Sequence, residues 1–230
     1  MKKIRFLKIQ FEGDLKPYEI PAFRGAVIEK AGRENVSFHN HLSDNQFLYG
    51  YPVIQYKTIG SNPALVCMEY GIDEVHHFFQ RDSWAIHIGD RQIDLKVKRL
   101  QLEQYVLQVW DKTFSYRIHN WVALNGENYK KYLELGSELE KERMLEKIMV
   151  GNILSFAKGV KWEVNKPISL KLDNIGQAKK ISYKGQSLMA FCVRFRTNVF
   201  LPDYMGLGKG VSHGFGVIKH ERNRGSIKHD

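Results

Sequence analysis

A glycine-rich stretch near the C-terminus limits the folds open to this chain more than any other feature of its sequence. The stretch reads Gly206-Leu207-Gly208-Lys209-Gly210-Val211-Ser212-His213-Gly214-Phe215-Gly216 and lies between two apolar, strand-like runs. Glycine allows positive φ and close approach to a ligand, and neighbouring amides can bind one anion together. The pattern predicts a tight loop between strands, either a plain connection or an anion-binding loop with Lys209 as its cation. Its spacing matches neither the dinucleotide-binding Gly-x-Gly-x-x-Gly pattern nor the phosphate loop that ends in Gly-Lys-Ser/Thr.

The composition indicates a folded and basic protein. The chain has 230 residues, of which 43% are hydrophobic, and this is enough for one large domain or two smaller ones. Lysine and arginine number 35 against 25 acidic residues, giving a net charge of +10. Such a charge is typical of a nucleic-acid binder, although a basic surface without a partner has the same composition.

Cysteine content and hydropathy exclude several classes of protein. Cys67 and Cys192 lie far apart in apolar, strand-like runs, so we expect neither a disulfide framework nor a zinc ribbon. No apolar run approaches the roughly 20 residues that span a bilayer, and the N-terminus alternates like a strand rather than a signal peptide. We therefore expect a cytoplasmic protein without membrane contact, cofactor or bound metal.

The first half of the chain carries the element order of a ferredoxin-like domain: strand, helix, strand, strand, helix, strand. Residues 3–11 alternate as a strand does, and a helix over 22–30 follows Pro21 and ends at Gly32. The further predicted elements are a hairpin of 51–58 and 64–70, a short helix over 72–79, and a hairpin of 84–88 and 92–97. The state of 100–111 stays open, because its apolar residues follow neither period.

The second half shows a similar order without a recognisable second helix. A strand over 114–124 precedes a long amphipathic helix over 128–158, which Gly159 ends. Strands follow over 168–172, 180–183 and 188–200, and the last of them leads into the glycine-rich stretch. These patterns predict an α+β protein.

A second group of residues that indicates chemistry is Phe38-His39-Asn40-His41, followed by Tyr49 and Tyr51. Two histidines separated by one residue point the same way in extended backbone, and imidazole exchanges a proton near neutral pH. RNA cleavage without a metal needs a base for the 2′-OH, an acid for the 5′ oxygen and a group that stabilises the phosphate. The histidines can supply the first two, and a tyrosine hydroxyl or lysine ammonium the third. From these residues alone, a surface pair in a polar loop and a metal-binding pair are open alternatives to catalysis.

The glycine spacing, at the end of a basic chain of this size, resembles the C-terminal signature of CRISPR-associated repeat-RNA endoribonucleases of the RAMP superfamily. The matching positions are Gly206, Gly208, Gly214 and Gly216, with Phe215 between the last two. One subgroup is similar also in a His-x-His pair, a tyrosine shortly after it, and a strand like Tyr51-Pro52-Val53-Ile54-Gln55-Tyr56-Lys57. The resemblance implies an α+β fold of two tandem ferredoxin-like (RRM-like) domains: 1–99 with the catalytic histidines and 100–230 with an RNA-binding glycine-rich loop.

By this resemblance, the chain is expected to be a metal-independent endoribonuclease that cleaves CRISPR precursor RNA within its repeats. Cleavage would leave a 2′,3′-cyclic phosphate and a 5′-hydroxyl. The implied catalytic residues are His39, His41 and Tyr49; the division of acid and base is open, with Tyr51 and Lys57 as weaker candidates for the third role. The expected RNA contacts are Gly206, Gly208, Lys209, Gly210, Gly214, Phe215, Gly216, Arg194 and Arg196.

The expected partner is CRISPR repeat RNA, and participation in a CRISPR effector complex and a monomeric or homodimeric state are left open. The main alternative is a non-catalytic RAMP-type subunit that binds guide RNA in an effector complex. A general RNA-binding module is a third reading, but the Gly-Phe-Gly/Ala-Phe-Val order of RNA-recognition domains is not present in this form. Gly214-Phe215-Gly216-Val217 matches that order only in part.

Overall fold

The computed structural model describes residues 1–32, 35, 38, 41–43, 46–47, 50–183 and 185–221, with the backbone alone at 41–43 and 46–47. The strands are β1 (Lys2–Phe11), β2 (His41–Ser43), β3 (Gln46–Phe47), β4 (Ile54–Ile59), β5 (Asn62–Met68), β6 (Ala85–Ile88), β7 (Arg91–Asp94), β8 (Val97–Leu107), β9 (Val109–Trp121), β10 (Leu170–Ile175), β11 (Lys179–Tyr183), β12 (Gln186–Val199) and β13 (Val217–His220). The α-helices are α1 (Ile20–Ala31), α2 (Tyr70–Glu74), α3 (His76–Phe79), α4 (Gly126–Glu134) and α5 (Glu138–Gly159). Short 3₁₀ helices cover Pro17–Glu19 and Val211–His213.

The N-terminal sheet has four antiparallel strands in the order β4-β5-β1-β8. Alternate residues of β1, Leu7, Ile9 and Phe11, are buried in one core together with Phe23 of α1 and Phe78 of α3. The helices therefore cover one face of this sheet. Among the described residues, the strands β6 and β7 pair with each other alone and form a small hairpin.

The C-terminal sheet has the order β10-β12-β9-β13, and β11 pairs with the first part of β12. Tyr116 and Ile118 of β9 lie opposite Phe195 and Val193 of β12, and all four are buried together with Met149 of α5. The intervening residues of both strands face away from α5 because side chains alternate along a strand. The predicted α+β fold with two ferredoxin-like sheets is confirmed.

One predicted element differs because of a helix cap. The helix predicted over 128–158 is two helices, α4 and α5, separated at Leu135, whose backbone is extended. Ser137 begins α5: its hydroxyl accepts a hydrogen bond from the amide of Glu140, and the Glu140 carboxylate accepts one from the amide of Ser137. This reciprocal cap stabilises a helix start at this position. The helix predicted over 72–79 is likewise two short helices, α2 and α3.

The fourth strand of the N-terminal sheet is β8, not the segment 92–97. Leu102 of β8 lies opposite Leu7, and the pairing with β1 continues to Leu107. After one residue the chain enters β9 of the other sheet. The predicted boundary between residues 99 and 100 falls within β8, and its position stays a prediction.

A continuous core joins the two sheets. Ile4 and Phe6, on the face of β1 opposite the helices, belong to the same buried cluster as Trp121 of β9 and Phe156 of α5. The N-terminal sheet is thus covered on one face by its helices and on the other by the C-terminal half. Within the part of the chain that the structure describes, no helix is long and apolar enough to cross a membrane.

Candidate nucleic-acid interface and active site

The glycine-rich loop, residues 206–216, closes on itself where the two halves of the protein meet. The amide of Leu207 donates to the carbonyl of Gly216 at 2.9 Å. Two further hydrogen bonds fasten the loop to the end of β9: Gly216 donates to the Asn120 carbonyl and Lys209 to the Val122 carbonyl, both at 3.0 Å. The loop is therefore a fixed part of the C-terminal sheet.

Close packing explains why glycine occupies the ends of this loop. Gly216 has φ +62°, and a Cβ there would lie 1.8 Å from the carbonyl oxygen of Leu207. Gly208 has φ +91°, and a Cβ there would lie 2.8 Å from the ring of Trp121. The loop amides that already donate within the protein are those of Gly206, Leu207, Lys209, His213, Gly214, Phe215 and Gly216. In this conformation those amides are engaged with protein carbonyls or, at Gly206, with a side chain.

Two buried side chains of the N-terminal half bind the start of the loop. The amide of Gly206 donates to Oε1 of Gln55 at 3.0 Å, and the Tyr51 hydroxyl donates to the carbonyl of Gly206 at 2.7 Å. Nε2 of Gln55 donates to the Tyr51 oxygen at 2.9 Å, which closes the network. Burial raises the pKa of Tyr51. Tyr51, the weaker tyrosine candidate, therefore contacts the loop backbone.

Lys57 lies beneath the same loop. It is two residues along β4 from Gln55, so both side chains point to the same face. The Lys57 side chain is fully buried, with Nζ 3.5 Å from the carbonyl oxygen of Val211. Burial lowers the pKa of Lys57 to about 7, because leaving water disfavours the charged form. Contact between Lys57 and a bound phosphate would require movement of the loop that covers it.

An aromatic and cationic cluster lies beside the loop and was missed from the sequence. Tyr183, at the end of β11, packs edge-on against His213 and Phe215, with ring centres 5.2 and 5.6 Å apart. Nζ of Lys209 lies 6.0 Å from the centre of the Tyr183 ring. The largely buried guanidinium of Arg24 in α1 lies 5.9 Å from the Tyr56 ring centre, and burial lowers its pKa. No local pattern signals this cluster, because its members come from α1, β11 and the loop.

The other predicted RNA contacts lie on the C-terminal sheet. Arg194 and Arg196 are exposed on one face of β12, as their alternation predicts. Nε of Arg194 lies 3.1 Å from the carboxylate of Glu221, and Arg196 binds the carboxylate of Asp173 at 2.8–3.0 Å. Lys209 is the exposed cation of the loop.

The predicted catalytic residues are described only in part. His39 and Tyr49 lie outside the described residues, and at His41 only the backbone is described, in β2 opposite Phe47 of β3. The carbonyl of Phe38 accepts a hydrogen bond from the buried Tyr56 hydroxyl at 3.1 Å, which places the chain just before His39 against the N-terminal sheet. The catalytic roles of these three residues stay predictions.

Two ferredoxin-like sheets, joined by one core and closed by a glycine-rich loop, define a protein of the RAMP type. Residues 2–106 match the Cas6b N-terminal domain, and residues 108–221 match the Cas6b C-terminal domain. The chain belongs to the Cas6b family.

The chain is also similar to individual proteins. The chain is 40% identical over 101 residues to the uncharacterized protein MJ0978 of Methanocaldococcus jannaschii, a region that covers 44% of this chain and 67% of that protein. A crystal structure of Cas6b is similar with a TM-score of 0.84 and 25% identity, over 96% of this chain and 100% of the other. A crystal structure of the CRISPR RNA processing endoribonuclease Cas6b has a TM-score of 0.72 and 22% identity over the same shares, which supports the fold.

We expect Gly216→Ala to destabilise the protein more than Gly89→Ala does. Both glycines have positive φ, at which alanine costs about 1–2 kcal/mol. At Gly89 a Cβ would meet nothing within 4 Å, whereas at Gly216 it would collide with the loop backbone. Overpacking adds about 1–3 kcal/mol, so urea unfolding followed by circular dichroism should show the larger loss for Gly216→Ala. Equal losses would mean that the loop is not closed as described.

We expect Lys57 to make stability depend on pH. The folded pKa is about 7, whereas a lysine in an unfolded chain titrates at about 10.4. Between these values the unfolded state binds more protons, so the free energy of unfolding rises with pH by about 1.4 kcal/mol per pH unit from this group. The rise ends above about pH 10.4, where both states are neutral.

The measurement is guanidinium chloride unfolding of wild type and Lys57→Met at about pH 7.5 and about pH 9.5. The wild type should gain about 2–3 kcal/mol relative to the variant between these two pH values. Lys158→Met is the matched control, since Lys158 is exposed on α5 and should show no such difference. If the free energy of unfolding changed with pH by the same amount in the wild type and in Lys57→Met, the result would contradict a buried, neutral Lys57.

Proposed function

We propose that this protein is a metal-independent endoribonuclease that cleaves CRISPR precursor RNA within its repeats. Membership of the Cas6b family over nearly the whole chain is the observation that carries the proposal. One structural relative is a CRISPR RNA processing endoribonuclease, which supports the proposal. The net charge of +10 suits a polyanionic substrate.

The proposed chemistry is attack by the ribose 2′-OH on the adjacent phosphorus. One imidazole of the pair His39 and His41 removes the 2′ proton, and the other protonates the departing 5′ oxygen. Tyr49 donates a hydrogen bond to the phosphate as negative charge builds on its oxygens. The products are a 2′,3′-cyclic phosphate and a 5′-hydroxyl, and no step requires a cofactor.

The glycine-rich loop would position the RNA and supply positive charge to its binding site. In the proposed complex, the exposed ammonium of Lys209 and the face of Phe215 contact RNA beside Tyr183. The anchoring of the loop on Gln55 and Tyr51 supports this role, because a prefixed loop loses little conformational entropy on binding. Arg194 and Arg196 extend the basic surface along β12.

We expect the chain to cut a labelled repeat RNA, transcribed from the CRISPR array of its own host, in the presence of EDTA. The same RNA with one 2′-deoxy substitution at the cut site should bind with similar affinity and stay intact, because the nucleophile is missing. The measurement is gel electrophoresis with analysis of the product ends. Tight binding of both RNAs without cutting would instead favour a guide-RNA-binding subunit, and a requirement for added metal would contradict the proposed chemistry.

We expect the double replacement His39→Ala/His41→Ala to lower the single-turnover cleavage rate by at least about 10²-fold, because general acid–base catalysis contributes about 10²–10⁴-fold. Affinity for the 2′-deoxy RNA should change little. His87→Ala is the control, since His87 is exposed on β6 and belongs to neither the pair nor the loop. Undiminished cleavage by the double variant would place the catalytic centre elsewhere.

A further inference from the structure

Three cations lie side by side on the face of the C-terminal sheet that points away from α5. Arg117 of β9 lies opposite Arg194 of β12 and, on its other side, opposite Lys219 of β13. We call these residues the cationic row. Neighbouring strands are about 4.8 Å apart, and like charges directly opposite each other repel. Such a row is unfavourable for the isolated protein unless an anion neutralises it.

The row is accessible to a large ligand. Its strand neighbours Tyr116 and Phe195 are buried toward α5, so the row points the other way. The side chains of Arg117 and Arg194 are 40% and 53% exposed, and Lys219 is exposed as well.

One carboxylate lies between the two arginines of the row. Oε1 of Glu221 is 3.0 Å from a terminal nitrogen of Arg117 and 3.1 Å from Nε of Arg194. A single oxygen that accepts from two guanidinium groups has the arrangement in which arginines also bind phosphate. The Glu221 amide donates to the carbonyl of Ser115 at 2.8 Å, which anchors the backbone while its side chain can rotate away.

A second arginine–carboxylate ion pair lies further along β12. Arg196 follows Arg194 by two residues and points to the same face. Its guanidinium binds both oxygens of Asp173 through Nε, at 2.9 and 3.0 Å. Two carboxylates thus neutralise part of a surface that is otherwise cationic.

The cationic row lies close to the glycine-rich loop along β9 and β13. Val217, the first residue after the loop, lies opposite His119, which follows Arg117 of the row by two residues and is on the same face of β9. Burial lowers the pKa of His119, and the charges of Arg117, Lys219 and Lys179 lower it further. The positive potential therefore extends from the row toward the loop.

We propose that this face of the C-terminal sheet binds the phosphodiester backbone of the RNA, and that Glu221 occupies a phosphate position between Arg117 and Arg194 until RNA displaces it. This inference rests on the proposed function and adds to it a binding surface separate from the reacting phosphate. The carboxylate prevents repulsion within the row in the absence of RNA. It also makes binding competitive, because each RNA phosphate must replace an existing ion pair.

The first test is the affinity of the full chain for a fluorescein-labelled 2′-deoxy-substituted repeat RNA and for a labelled oligouridylate, by fluorescence anisotropy at several salt concentrations. Glu221→Gln should bind both RNAs about two- to fivefold more tightly, the range of one exposed ion pair. Arg117→Ala/Arg194→Ala should weaken binding, and the slope of log K against log salt should fall by about 1.4, or about 0.7 for each lost phosphate contact. In the double-arginine background, Glu221→Gln should have no effect.

Matched variants on the opposite side separate local contact from net charge. Glu138→Gln removes a carboxylate that pairs with Lys141 on α5 and should leave RNA affinity unchanged. Lys147→Ala/Lys158→Ala removes two exposed cations of α5 and should leave the salt slope nearly unchanged. Thermal unfolding of every variant verifies that it is folded.

The outcomes separate this inference from the proposed function. Unchanged affinity in both Glu221→Gln and the double-arginine variant, with cleavage intact, overturns the phosphate-binding face alone; an acidic protein would then be the better occupant of the row. If the affinities change as expected but the chain does not cut RNA, the proposed enzymatic activity alone is overturned. If Glu138→Gln and Glu221→Gln raised RNA affinity equally, net charge alone would explain the change. That result would also overturn the phosphate-binding face.

Discussion

The arrangement of the site depends on the hydrogen-bond network that joins Gln55, Tyr51 and Gly206. A side-chain amide of the N-terminal sheet accepts from the loop amide and donates to Tyr51, which in turn binds the Gly206 carbonyl. All of these groups are buried, and leaving one unpaired would cost about 1–3 kcal/mol. The network therefore fixes the loop relative to the N-terminal sheet, from which the segment with the predicted catalytic residues continues.

Lys57 is buried beneath the loop, as expected if the hydrogen-bond network holds the loop against the N-terminal sheet. Its ammonium has left water, and the nearby acceptor is the Val211 carbonyl at 3.5 Å. A lysine in this position is stable mainly in its neutral form. The loop is thus closed over a polar group whose charge state changes near neutral pH. The exposed side chains of Arg194 and Arg196, by contrast, lie on the face of the C-terminal sheet that points away from α5, where Glu221 and Asp173 pair with them.

Strong local patterns predicted most of the fold. The alternation in β1, the hairpin of β4 and β5 and the long strand β12 were each visible as period-two patterns, and the structure confirms them. The break between α4 and α5 was missed because the helical periodicity continues across it, although the Ser137 and Glu140 cap could have signalled it. The sequence did not predict the state of residues 100–111, because their apolar residues follow neither the helical nor the strand period. In the structure Leu100 and Leu102 belong to the edge strand β8 and are exposed, so burial places no constraint on apolar periodicity there.

The sequence by itself determined the α+β class, the position of the glycine-rich loop and the basic character of the chain, since these depend on short-range periodicity, glycine spacing and charge. It also indicated the family through that loop and the His-x-His pair. Only the tertiary structure decided that Gln55, Tyr51 and Lys57 lie under the loop and that three cations form one row. Both arrangements join residues far apart in the chain through strand register and domain packing, which no local pattern encodes.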